Sequence, residues 1–265
     1  MDDSDLQTQI TAARAYEQFF VPALFAQWAP RVAALANLEP GDCVLDVACG
    51  TGVLAREALS RVGPNGFVCG LDASPGMLAV ASELAPNIEW RQGTAEALPY
   101  DNESFDVAVS QFALMFFNNK HRALTEMQRV LKENGRLAIA VWPSLETVPV
   151  YAAEVELLER LAGKPAADAL TAPFVLGDAD EFVKLMTNAG VKEVTITTQS
   201  GVARFPSIRF MVEADLRGWL PLMGVVLTED QIEQILREAE QVLPKYVNAD
   251  ASFEFGAHIC TGTKS

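Results

Sequence analysis

Val44-Leu-Asp-Val-Ala-Cys-Gly-Thr-Gly52 decides the fold. The apolar run Cys43–Val47 has the length and content of a buried strand, and it enters a glycine turn. Behind the turn, from about Gly52 to Val62, the residues Leu54, Ala55, Ala58, Leu59 and Val62 recur at the helical period. Strand, glycine turn and helix in that order let a backbone approach a ligand at the carboxyl edge of a sheet. Gly50-x-Gly52-x-x-Ala55 also fits the dinucleotide fingerprint. Asp46, at the strand end, argues for another ligand: a carboxylate there would repel a pyrophosphate but receive an ammonium group. The glycine pair also lacks the third, helix-packing glycine. Both details favour a nucleoside joined to an amino acid.

Outward from this stretch the pattern alternates. Phe67–Leu71 reads as a second strand, and Ser74-Pro75 as the N-cap and first residue of a helix reaching about Ala85. Ile88–Arg91, Phe105–Ser110 and Leu137–Trp142 read as strands three to five, with a helix marked by Ala123, Leu124, Met127, Val130 and Leu131 before the fifth. Strands alternating with helices predict an α/β, doubly wound, mostly parallel sheet of seven strands covered on both faces. Ile10–Ala36 is helical in pattern, with interruptions at Pro22 and Pro30. After Pro143 come helices at about Val148–Leu161 and Asp178–Asn188 and a sixth strand at Val194–Gln199. Helical segments at Ser207–Leu220 and Thr228–Leu243 precede a last strand near Ser252–Thr261. The expectation is one domain over 1–265, with an N-terminal helical lid (1–40), a ligand-binding core (41–143) and, before the last strand, a helical insertion (204–248) expected to act as a lid over the substrate.

Two further segments carry chemistry. Gly70-Leu-Asp-Ala-Ser74 puts Asp72 at the end of strand two, twenty residues past Gly52, where a carboxylate can accept hydrogen bonds from ribose hydroxyls. Gly93-Thr-Ala-Glu-Ala-Leu-Pro99 follows strand three and offers polar groups to an adenine edge. The end of strand four, Ser110 and Gln111, faces the same cleft.

These motifs, in this order and spacing, resemble class I S-adenosylmethionine-dependent methyltransferases, and within them the group that includes the ubiquinone/menaquinone-biosynthesis methyltransferases. The resemblance covers about Tyr16 to Trp142. It rests on Asp46-x-x-Cys-Gly-Thr-Gly52 and on Gln111-Phe-Ala-Leu-Met-Phe-Phe117. It implies that Ala48, Gly50, Thr51 and Gly52 wrap the methionine part of S-adenosylmethionine, with Asp46 and Gln111 beside it. It implies further that Asp72 holds the ribose, that Gly93, Thr94 and Ala95 meet the adenine, and that Ala73 and Met77 pack on its ring. The N-terminal helix would fold over the cofactor through Tyr16 and Phe20. Thr94 departs from the Asp that many members carry for the adenine amino group, which leaves the backbone or Glu96 as substitutes. Glu133-Asn134 replaces the usual Pro-Gly. Phe112, Met115, Phe116, Trp142 and Trp219 are the candidate wall of an acceptor pocket, and no catalytic base is assigned.

Composition narrows the acceptor. Twenty Lys and Arg stand against 35 Asp and Glu, a net charge of −15, and no short window gathers the bases. Phosphate-rich partners need clustered cations, so nucleic acid and anionic membrane surfaces are excluded as expected partners. No Asn/Asp-Pro-Pro-Tyr follows strand four and no Pro-Cys nucleophile is present, which disfavours nucleic-acid amines and cytosine C5 as acceptors. Half of the residues are hydrophobic, so a large core is affordable. No apolar run is long enough to span a bilayer. The acidic N-terminus and four cysteines without a C-x-x-C pair point to reduced thiols in the cytoplasm. The two histidines, His121 and His258, match no metal spacing, so no metal site is expected. His121 reads as a surface residue and His258 as a packed or edge residue. The reading is methyl transfer to a small, partly hydrophobic metabolite at O, N or C. The alternatives are an S-adenosylmethionine-binding protein without transfer and a nicotinamide-dinucleotide oxidoreductase.

Overall fold

The computed structural model describes residues 3–264. In chain order the first half holds α1 (Asp3–Ala15), a π-helix (Tyr16–Phe25), α2 (Ala29–Leu35), β1 (Cys43–Val47), α3 (Val53–Val62), β2 (Phe67–Asp72), α4 (Pro75–Leu84), β3 (Glu89–Gln92), β4 (Phe105–Gln111), α5 (Lys120–Val130) and β5 (Leu131–Val141). The second half holds α6 (Pro149–Ala162), α7 (Lys164–Thr171), α8 (Ala179–Asn188), β6 (Lys192–Gln199), β7 (Val202–Arg204), α9 (Ile208–Ala214), a second π-helix (Asp215–Trp219), α10 (Leu220–Leu222), α11 (Glu229–Val242), β8 (Ser252–Glu254) and β9 (Ala257–Thr263).

By its contacts the chain divides into two compact units: Met1–Val141 with Asp178–Gln199 and His258–Ser265, and Trp142–Gly177 with Ser200–Ala257. The first carries a seven-stranded sheet in the order β3-β2-β1-β4-β5-β9-β6. β1 pairs in parallel with β2 on one side and β4 on the other, and only afterwards does antiparallel β9 join β5. The direction of winding therefore reverses at β1, and such a switch point leaves a crevice at the strands' carboxyl ends. Val44, Leu45, Val47, Val107, Ala108 and Val109 are buried, as strands covered on both faces require.

The second unit is helical, with a two-stranded antiparallel sheet of β7 and β8. α11 opens with a reciprocal capping box between Thr228 and Gln231 and buries Ile232, Ile235, Leu236 and Ala239. Val242, at the helix end, is 36% exposed. An aromatic cluster of Tyr151, Phe174, Phe253 and Phe255 fills the unit, and Trp142 stacks on Phe255 with ring centres 4.2 Å apart.

Several boundaries differ from the sequence reading. Pro22 does not end the N-terminal helix: the chain widens into π winding around it, which tolerates a residue without an N–H. β5 starts at Leu131 and not at Leu137, because Asn134 in the left-handed region (φ 59°) and a register shift against β4 absorb the Asn-Gly pair within the strand. The single strand expected near Ser252–Thr261 is two, β8 in the small sheet and β9 in the large one. α7 and β7 went unread, and the segment 142–177 joins all of 204–248 in the second unit.

Candidate functional site

The loop after β1 is shaped by backbone conformation. Ala48, Gly50 and Gly52 all lie in the left-handed region, at φ of 58°, 55° and 86°. This loop turns sharply enough for the Cys49 amide to reach Leu71 O (3.0 Å) and the Gly52 amide to reach Cys49 O (2.9 Å). A Cβ on Gly50 would meet only Tyr16, 3.9 Å away, so strain and not crowding reserves this position for glycine. Gly52 has a second reason. A Cβ there, or on Gly70, would sit 2.3 Å from the Trp90 indole, so both glycines make room for a packed ring.

Asp72 is oriented by two backbone donors: the Gly50 amide to Oδ2 (2.8 Å) and the Ser74 amide to Oδ1 (2.8 Å). Burial raises its pKa and these amides oppose the rise. Asp46 lacks that support. It is 1% exposed, and neither carboxylate oxygen has a hydrogen-bond partner. Burial pushes its pKa up to about 7; the nearby Ala55 amide, outside hydrogen-bond geometry, and the Arg56 charge offset part of the cost, and Asp72 adds to it. Gln111 donates from Nε2 to Phe25 O (3.3 Å), while its buried Oε1 has no partner. Tyr16, Asp46, Ala48, Cys49, Gly50, Val53, Leu54, Gln111, Phe112 and Ala113 line one cleft of about 80 Å³. The phenol of Tyr16 is held well above its usual range by burial, with Asp72, Glu17 and Asp46 adding repulsion.

The remaining site residues fall into groups. Thr51 is buried and bonded to Glu17, so its side chain serves the loop. Phe20 stacks on Tyr16 at 6.1 Å. Met77 lies in the first turn of α4, its amide capped by the Ser74 hydroxyl (3.3 Å), and Ala73 accepts from Gln92 at its carbonyl (3.1 Å). The Gly93 amide bonds Asp72 O (3.0 Å), and Thr94 pairs with Ala97 to leave its side chain exposed and Ala95 buried. Glu96 already accepts from the Asn119 amide (3.3 Å).

Ser110, expected to face the cleft, instead donates to Val47 O (2.8 Å) and ties β4 to β1. Phe112, at φ 56°, packs against Phe25 and Trp28 and lines the cleft. Met115 is buried one turn on, whereas Phe116 is 39% exposed and outside the cleft lining. Trp142 and Trp219 belong to the second unit. There Trp142 stacks on Phe255 and Trp219 donates from its indole nitrogen to Ala169 O (2.8 Å).

His121 is exposed, and His258 is buried against the Thr198 hydroxyl (2.7 Å). The sequence reading missed Val53 and Leu54 in the cleft, although both directly follow the glycine motif. It also missed Glu17 and Arg56, whose pairing no local pattern announces.

A carboxylate at the end of β2, an unpartnered one at the end of β1 and a left-handed loop between them thus gather at the carboxyl ends of the strands, where the sheet's winding reverses. Residues 44–135 match the family model described as a methyltransferase domain. The demethylmenaquinone methyltransferase of Staphylococcus carnosus is 34% identical over 188 residues, covering 66% of this chain and 78% of that protein. The 2-phytyl-1,4-naphtoquinone methyltransferase of Synechocystis sp. is 38% identical over 118 residues, covering 42% of this chain and 50% of that protein. Among solved structures, the YcgJ protein of Bacillus subtilis shares the fold with a TM-score of 0.59 at 21% identity, covering 90% of this chain and 98% of that one. The chain belongs to the class I S-adenosylmethionine-dependent methyltransferases, in the group related to the quinone-biosynthesis enzymes. Among the described residues no helix is long and apolar enough to cross a membrane.

Proposed function

We propose that this chain transfers a methyl group from S-adenosylmethionine to a small cytoplasmic acceptor with a substantial apolar part, of the ring class that its quinone-methylating relatives are named for. The observation that carries the reading is Asp46. A carboxyl buried at the strand ends with neither oxygen hydrogen-bonded is costly unless a cationic group completes it. The amino-acid end of S-adenosylmethionine carries an ammonium group, and the unpartnered Gln111 Oε1 lines the same cleft. The residues therefore fit the cofactor.

The sulfonium supplies an activated methyl group when it is bound. What remains for the protein is positioning and exclusion of water. Asp46 and the loop Ala48–Gly52 would hold the amino-acid end. Asp72, its carboxylate already aimed by two amides, would accept from the ribose hydroxyls. Gly93 and Ala95 would line the adenine, with the backbone in place of the missing carboxylate at Thr94. Ala73 and Met77 would cover the ring. Phe112 and Met115 would give the acceptor an apolar wall, and holding the acceptor in line can account for most of the acceleration.

The second unit, including the segment 204–248, supports a role in acceptor choice: it is a separate helical body with its own core, attached to a cofactor unit whose parts are otherwise common to the fold. The test is calorimetry with S-adenosylmethionine, S-adenosylhomocysteine and NAD, followed by turnover on reduced naphthoquinone and benzoquinone analogues with and without an alkyl tail. Binding of both sulfur compounds and not NAD, with faster turnover of tailed acceptors, is the expected result. Binding of NAD alone would overturn the cofactor, and equal turnover without the tail would overturn the acceptor class.

A further inference from the structure

The cleft at the ends of β1 and β4 measures about 80 Å³, against about 300–1,000 Å³ for pockets that take a ligand of cofactor size. Part of its roof is Tyr16, the first residue of the π-helix, whose ring stands 3.9 Å from where a Gly50 Cβ would be. A cofactor of the size proposed above cannot pass unless this roof moves. The helices on either side of it are seated. α1 lies on α4, where Gly76 lets the Gln9 backbone in so closely that a Cβ would stand 2.6 Å away. α2 packs on α3 and β5. What can move between them is the π-helix, whose wide winding and internal Pro22 weaken its own hydrogen bonding.

One side chain ties that segment to the cofactor loop. Glu17 accepts from the Thr51 hydroxyl through Oε2 (2.5 Å) and from Arg56 through Oε1 (2.8 Å). Arg56 in turn donates to Thr51 O (2.6 Å), closing a ring of three bonds across the roof, the glycine loop and α3. The ion pair is only 27% and 22% exposed, so solvent screens it less than a surface pair. A further ion pair of the N-terminal segment, Arg14 with Glu83, is more than half exposed on both sides.

We propose that Glu17 is the catch of a movable cofactor cover formed by Tyr16–Phe25, a positioning residue that holds the cover shut through Thr51 and Arg56. This rests on the cofactor assignment above. A catch differs from an ordinary contact in its kinetics: releasing it speeds entry and exit together, whereas losing a direct ligand contact speeds exit alone.

The experiment has two arms. In the first, hydrogen exchange is followed on the protein without cofactor, comparing wild type with Glu17→Gln and with Glu83→Gln. Glu17→Gln is expected to speed exchange across residues 16–25 and leave β1 and β4 unchanged, while Glu83→Gln leaves residues 16–25 unchanged. Exchange at 16–25 that is the same in Glu17→Gln as in wild type overturns the catch. In the second arm, stopped-flow fluorescence measures S-adenosylmethionine association and dissociation. Glu17→Gln should raise both rates by roughly fivefold, the order for one partly screened charged hydrogen bond, with little change in Kd. Raising salt from about 50 to about 500 mM should move wild type the same way and Glu17→Gln less. A rise in dissociation alone, or no change in either rate, overturns the proposal. Wild type that binds no S-adenosylmethionine defeats the cofactor assignment instead, and the exchange arm still decides the catch.

Discussion

The two units of this protein each bury carboxyl groups without a hydrogen-bond partner, and they do so in different settings. In the sheet unit, Asp46 sits at the mouth of the crevice where winding reverses, beside an Asp72 that two amides hold in place. In the helical unit, Glu154 on α6 and Asp215 at the start of the second π-helix are 0% and 4% exposed. Both Glu154 oxygens and Asp215 Oδ2 lack partners. Burial pushes Asp215 up to about 8 and Glu154 well above the carboxylate range, with Asp215 adding repulsion to Glu154. Among the described residues no cation offsets either. The comparison teaches that the same cost has two readings: at a cleft the group is open to completion by the cofactor proposed here, and inside a packed body burial favours the protonated form.

The largest expected effect separates these readings by stability. A carboxyl whose folded pKa lies above its unfolded value binds more protons when folded, so stability declines as pH rises from about 4 toward the folded value. For Asp215, held well above its ordinary value by burial, part of the stability present at pH 4 is therefore lost by pH 8. Asp215→Asn should therefore melt higher than wild type at pH 8 and nearly level with it at pH 4. Thermal denaturation across that range checks it, and a variant that melts lower at pH 8 would mean the ionised form is held by a partner.

On the cofactor side, Asp72→Ala should weaken S-adenosylmethionine binding by about 1.5–3 kcal/mol, the scale of hydrogen bonds to a charged group. Asp215→Asn should leave that affinity unchanged. Calorimetry on the two variants decides between them. Equal effects would erase the distinction drawn here between the two regions.

A third outcome concerns pH and Asp46. With its pKa near 7, the carboxylate needed opposite an ammonium is lost as pH falls through 7, so affinity should drop by up to about tenfold per unit below that point and level off above it. Asp46→Asn should bind weakly and without that slope. A titration of Kd from pH 5.5 to pH 8.5 reads both, and a slope that survives in the variant assigns the titration to another group.

The smallest effect is at the rim. Thr94 is exposed and stands where many relatives carry Asp, so Thr94→Asp should tighten binding by about 0.5–1.5 kcal/mol, the net worth of one added hydrogen bond. A looser complex would show that the backbone already satisfies the adenine edge.

Much of this arrangement was legible before any coordinates, and the reason is local. β1, α3 and the turn between them depend on four apolar residues around Asp46, a helical stripe and glycines that lie close in sequence, so periodicity and backbone freedom suffice to place them. The same holds for Asp72 at the end of β2 and for the capping box of α11. From the chain itself came the class, the cofactor and the two carboxylates proposed to meet it.

The rest depends on residues brought together from distant positions. Nothing near Gly52 or Gly70 announces that both clear space for Trp90, because the ring arrives from β3 through the parallel register Gly70–Trp90. Pro22 reads as a helix stop until the π winding accommodates it. Phe116 reads as a wall residue until a short turn leaves it exposed while Phe112 turns in. Glu17 is an ordinary helical glutamate in sequence, and only packing sets it against Thr51 and Arg56, 34 and 39 residues away. Local sequence determines which elements form and where backbone can meet a ligand. Which side chains share a cleft, and whether a buried carboxyl meets a partner or keeps its proton, is decided by burial and long-range contact, and those exist only in the folded molecule.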